Sequence, residues 1–119
     1  MNLDQATKTH VDWKLKLRNA AFSQAHMDVA SVRSDCACEF GKWLHGEGRA
    51  RFGDLQSFKD TVASHAEFHR QAALVAALIN EKKFAEVEKA IGPGSTYERT
   101  SRETVVTIMR LKRDVATAA

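Results

Sequence analysis

Leu3, Ala6, His10, Trp13 and Leu17 recur at the three-or-four spacing of one helical face, which predicts a first helix from Leu3 to about Asp28. Asn2, with Gln5 three residues on, suits its N-cap. Val11, Leu15 and Phe22 lie off that stripe, so a second apolar face is left for a neighbouring helix or a dimer partner. From Val29 to Asp35 the pattern weakens to a connector. Asp35 then caps a short predicted helix through Cys38, Phe40, Trp43 and Leu44, ended by Gly46 and Gly48, with Arg49 to Gly53 as a basic loop. Asp54 is the expected cap of the clearest helix. There Leu55, Phe58, Val62, His65, His69, Ala72, Ala76 and Ile79 share a face, and Asn80 lies near the end. Phe84, Val87 and Ile91 mark a helix over Lys83 to Ile91, which Gly92-Pro93-Gly94 breaks. Ser95 with Glu98, or Thr100 with Glu103, restarts a last helix whose apolar side is Val105, Ile108, Met109 and Leu111. No segment reads as a strand. The expected fold is all-α: an antiparallel bundle of about four main helices, with one short helix around Cys38.

The length of 119 residues supports one domain over 1–119, large enough to bury a core without disulfides. Charged residues are 28% of the chain yet nearly balance, and a net charge of +3 is too mild to make nucleic acid the default partner. No apolar run is long enough to span a membrane, and Met1-Asn2-Leu3-Asp4 does not begin a signal peptide. The two cysteines, Cys36 and Cys38, enclose almost no loop, so a stabilising disulfide is not expected and the cytoplasm is the simplest compartment.

Three features carry candidate chemistry. In His65-Ala66-Glu67-Phe68-His69 two imidazoles lie one turn apart and interrupt an apolar stripe. They either share a metal ion or are core histidines that find partners for their nitrogens. With Asp35 as N-cap, Cys38 falls in the first helical turn, where backbone N–H groups favour a thiolate. Gly41, one turn later, costs a helix roughly 1 kcal/mol against Ala, which suggests a close approach by the helix carrying the other ligands. The plainer alternative is a small buried Cys beside a tolerated Gly. His10 lies on the inward stripe of the first helix, as a third ligand or as a core histidine bonded to a carbonyl. Together these residues offer three imidazoles and one thiolate from three helices, a donor set suited to Zn²⁺.

The same residues resemble the chemoreceptor zinc-binding (CZB) domain family. Its pattern is a His followed shortly by an aromatic, then Cys-x-Φ-Gly-x-Φ, then His-x-x-x-His, where Φ is apolar or aromatic. His10 with Trp13, Cys38 with Phe40, Gly41 and Trp43, and His65 with His69 stand at these positions. Gly94-Ser95-x-Tyr97 followed by Ser101 adds a softer likeness, so that the resemblance covers nearly the whole chain. It implies that His10, Cys38, His65 and His69 are zinc ligands in a cytoplasmic, helical and commonly dimeric domain. Such domains are attached to chemoreceptor signalling regions or diguanylate cyclases, and no such output region is visible in this sequence.

Zinc held by four protein ligands leaves no open position for substrate, and no phosphate loop, nucleophile elbow or carboxylate pair is evident, so no enzyme is expected. The leading expectation is a sensory or regulatory domain, with zinc occupancy or oxidation of Cys38 as its signal and a homodimer as its assembly. A zinc-stapled structural module and a hemerythrin-like bundle are the alternatives, although the latter wants bridging carboxylates at helical spacing. Cys36 is either a resolving thiol or a small residue near a helix start. His26 and His45 are expected at the surface, and neither nucleic acid nor membrane insertion is expected.

Overall fold

The computed structural model describes residues 1–118, and among these every regular element is helical. The order is α1 (Leu3–Phe22), α2 (Val29–Arg33), α3 (Glu39–Leu44), α4 (Glu47–Phe52), α5 (Gln56–Asn80), α6 (Phe84–Ile91) and α7 (Thr96–Ala118). The three long helices α1, α5 and α7 form the bundle, and α6 is a shorter fourth. Asp4 of α1 meets Lys112 of α7, and Ser64 of α5 meets Thr107, so α7 runs antiparallel to both. In contrast α1 and α5 run in the same direction: His10 lies beside His65, and Met27 beyond α1 meets Asn80 at the end of α5. The three short helices carry the chain back along the bundle between them.

Several boundaries differ from the sequence expectation for local reasons. Helix α1 ends at Phe22 rather than near Asp28, because Gln24 takes a φ of 56°. The N–H groups of Gln24 and Ala25 then close on the carbonyls of Ala21 and Ala20, a helix-ending motif usually signalled by Gly. Asp28 is a new N-cap, accepting from the Ser31 amide and hydroxyl, and the expected connector contains α2. Asn80 pins this crossing by accepting from the Met27 N–H at 2.8 Å and donating to its carbonyl at 2.7 Å. Residues expected as a basic loop form α4, whose buried Gly48 lies against the Trp43 ring. The cap position of α5 is Leu55, not Asp54. Ser95 does cap α7, through the Glu98 N–H at 3.1 Å.

The apolar core has two parts. One gathers Leu17, Val32, Phe68, Ala72, Ile79, Val87, Ile91 and Tyr97; the other gathers Leu3, Ala6, Phe40, Leu44, Phe58, Ile108 and Leu111. Along α1 the changeover falls between Ala6 and Leu17, and along α5 between Phe58 and Phe68. His10 and His65 lie in those two intervals. The face of α7 toward α5 is also more polar than expected. Thr100, Thr104 and Thr107 are buried with Ile108 and Leu111, whereas Met109 is 61% exposed. The Thr61 hydroxyl donates to the Ser57 and Thr107 carbonyls, and the Thr104 hydroxyl to the Thr100 and Ser64 carbonyls. Short side chains that bond to backbone allow the two helices to pack closely with few buried polar groups left unpaired.

Candidate metal centre

All four sequence-predicted residues converge. His10 comes from the middle of α1, Cys38 from the N-cap of α3, and His65 and His69 from successive turns of α5. One donor atom from each lies within 4.8 Å of all the others. Cys38 Sγ is 3.4 Å from His65 Nε2 and 3.7 Å from His69 Nε2, and the two imidazole nitrogens are 3.1 Å apart. A tetrahedral Zn²⁺ with bonds of about 2.0–2.1 Å to nitrogen and 2.3 Å to sulfur has N–N edges of about 3.3 Å and S–N edges of about 3.6 Å. The spacing therefore fits that ion.

Tautomers follow from the hydrogen bonds. His10 Nδ1–H donates to the Ala6 carbonyl at 2.7 Å, and His69 Nδ1–H donates to the Val32 carbonyl at 2.8 Å. A carbonyl only accepts, so each of these Nδ1 atoms carries the proton and each Nε2 lone pair is free for a metal. His10 Nε2 is buried without a protein partner. An orphaned lone pair facing two further imidazoles and a thiol is what a soft divalent cation resolves. His65 Nδ1 is likewise buried without a partner, so nothing in the protein steers that ring as the carbonyls steer the other two.

The electrostatics keep the imidazoles ready to ligate. Burial pushes His10, His65 and His69 below their ordinary value, and for His65 the nearby His10, His69 and His45 push further. Neutral imidazole is the ligating form. Cys38 corrects one expectation. It is the cap of α3 rather than a residue of its first turn, and its sulfur accepts from the Gly41 N–H at 3.2 Å. Burial nevertheless pushes its thiol up, outweighing the Gly41 and Phe40 N–H groups that pull it down. The helix start alone thus does not make a thiolate here; a bound cation would supply the missing stabilisation.

Gly41 is a second correction. Its close neighbour is the Asp35 carbonyl of its own connector, 1.7 Å from where a Cβ would sit, and not the ligand-bearing α5. The glycine folds the connector over α3 and so aims Cys38 inward. Aromatic edges of Phe40, Phe68 and Trp13 close the remaining walls. Glu67 points away from the cluster, bonded to Arg70 and Gln71, so the site has no carboxylate to bridge two irons. A cleft of about 480 Å³ beside Met1, Gln5 and Thr9 reaches His10 and Cys38 from outside. A larger groove of about 720 Å³, between α5 and α7, touches none of the four residues.

Among the described residues no helix is long and apolar enough to cross a membrane. The chain matches no curated protein and no solved structure. The sequence model of the chemoreceptor zinc-binding domain matches residues 10–76, from the first candidate ligand to a point beyond the last. That is more than half of the chain, though it leaves out α6 and α7, where the softer likeness around Tyr97 falls. With the motif residues gathered into one four-donor cluster, the chain belongs to the chemoreceptor zinc-binding domain family.

Proposed function

We propose that this chain is a zinc-dependent regulatory domain in which His10, Cys38, His65 and His69 hold one Zn²⁺. The observation that carries the reading is the convergence of three imidazoles and one thiol from three separate stretches of chain. When bound, zinc supplies a redox-inert, four-coordinate cross-link with no position left for substrate, which favours regulation over catalysis. Ala6 and Val32 hold two of the imidazoles in the ligating tautomer. Phe40 and Phe68 keep water from the buried side. Cys38 is the donor reached most directly from solvent, and a peroxide arriving by the cleft would pass one oxygen to its sulfur as the O–O bond breaks, the other oxygen leaving as water or an alcohol with the thiol proton. The resulting sulfenic acid is a poorer ligand, so α3 loses its tie to α1 and α5. Zinc occupancy and the oxidation state of Cys38 are thus two inputs to one mechanical event.

The output is a homodimer acting on a chemoreceptor signalling region or a diguanylate cyclase in the cytoplasm. A structural staple is the second reading, favoured by the position of the cluster between the two halves of the core. Metal analysis of the purified chain tests ligation: one zinc per chain is expected, lost in His65→Ala and in Cys38→Ala. Full retention in both variants would overturn the ligand set. Chelation separates the two roles, because a regulator changes shape or partner affinity and a staple only loses stability.

A further inference from the structure

Cys36 and His45 have no part in the buried cluster, yet the fold places them together. His45 Nε2–H donates to Asp35 Oδ2 at 3.0 Å, and Cys36 Sγ lies 3.9 Å from Asp35 Oδ1. One donor atom from each of the three residues falls within 4.8 Å of the others. We propose that Asp35, Cys36 and His45 form a second, solvent-facing Zn²⁺ site.

Three observations support it. First, the donors are a thiol, an imidazole and a carboxylate, a mixture that suits zinc and not the all-oxygen shells of calcium or magnesium. Second, the backbone sets their spacing independently of the side-chain contacts. The Asp35 carbonyl lies against Gly41 too closely to admit a Cβ, and the N–H of His45, the C-cap of α3, bonds back to the Gly41 carbonyl at 3.0 Å. Connector and helix end are thereby fixed at one separation. Third, the cluster faces water: Cys36 is exposed, and the His45 and Asp35 side chains keep 33% and 28% of their surface. Three protein donors at a surface leave the fourth position to water, as in open zinc sites, so the ion exchanges faster than one in the buried cluster. An ion there would tie the residues just before Cys38 to the far end of α3, bracing the helix that Cys38 caps.

The test is a Co²⁺ titration of the full chain, first loaded with one equivalent of zinc and kept reduced by a non-chelating phosphine. Thiolate-to-cobalt charge transfer in the near ultraviolet reads the ion on Cys36, and metal analysis checks that the zinc stays. A band saturating near one further equivalent is expected, absent in Cys36→Ala and weakened in His45→Gln, while both variants keep the first zinc. No band in the unsubstituted chain, or an unchanged band in Cys36→Ala, overturns the proposal. Failure of the buried site is distinguishable, since the one zinc would then sit on Cys36 and be lost in Cys36→Ala, whereas a filled buried site keeps its zinc in that variant. Both substitutions lie at the surface, and far-UV circular dichroism verifies that each variant is folded.

Discussion

Gly41 shows how one residue without a side chain determines a site. A Cβ there would sit 1.7 Å from a backbone carbonyl, which cannot swing aside as a flexible side chain can. Gly41→Ala should therefore displace the Asp35–Cys36 connector and cost about 1–3 kcal/mol. Because the same connector leads into Cys38, zinc affinity should fall with it. Urea unfolding and a competitive zinc titration check the two effects, and an unchanged midpoint would contradict the packing argument. At the same scale, burial holds the three imidazoles neutral. In the metal-free chain His10, His65 and His69 lie below their ordinary value, and unfolding returns them to about 6.5. Below that pH the unfolded chain binds more protons, so stability is present above about pH 6.5 and lost as pH falls through the window below it. Carboxylates such as Glu67 are lowered from 4.5 and act only in stronger acid. Urea midpoints in chelator should drop from pH 7.5 to pH 5, and a flat profile would show that the imidazoles are not buried neutral.

At the scale of elements, α3 is the weak one. Six residues are too few to hold a helix without tertiary contacts, and its cap is the sulfur of Cys38. Phe40 and Leu44 anchor it in the core, and α4 packs behind it through Trp43 and Phe52. Chelation, or oxidation of Cys38, should release α3 and α4 locally while α1, α5 and α7 keep most of the far-UV helicity. Hydrogen exchange on the zinc-bound and chelated chains reads this directly. Uniform loss of protection would indicate a global folding switch instead, and no change around Cys38 would remove the mechanism. The α5–α7 seam behaves oppositely, as a rigid element held by hydroxyls. Ser64 Oγ and Thr107 Oγ1 are 2.7 Å apart and buried. Thr107→Val keeps the shape and strips Ser64 of that partner, while the Ser64 hydroxyl keeps the Thr61 carbonyl at 3.2 Å, so the expected cost is about 0.5–1.5 kcal/mol. Thermal unfolding measures it, and a neutral result would show that Ser64 finds its bonds within α5.

For the whole molecule the open surface is informative. Val11, Leu15 and Phe22 are 51%, 57% and 93% exposed on α1, and Val106 and Met109 are exposed on α7. Large apolar side chains left in water on two long helices favour self-association. A homodimer is expected by light scattering at micromolar concentration, and Leu15→Glu should shift it toward monomer with the zinc content unchanged. A monomeric unsubstituted chain would count against this assembly.

Helical periodicity was sufficient to place α1, α5 and α6, because each buries a stripe that repeats with the turn of the helix. The three histidines were legible for a related reason, as polar residues that interrupt an inward stripe and need partners, whereas Cys38 stood out by its place at a helix start and the set of four by the family pattern. Tertiary structure decided what periodicity does not encode. The α1 terminus rests on a left-handed Gln24, where the usual glycine signal is missing, and α2 and α4 are short helices held by the surfaces they pack on. Thr104 of α7 looks polar in sequence and becomes core because α5 supplies the Ser64 carbonyl to its hydroxyl, while Thr107 in turn supplies its carbonyl to the Thr61 hydroxyl of α5. Likewise the neighbour of Gly41, the parallel course of α1 and α5, and the meeting of Asp35, Cys36 and His45 depend on distances through space. Local sequence constrains which face of a helix turns inward, whereas the partner that face meets is fixed by how the whole chain fills its core.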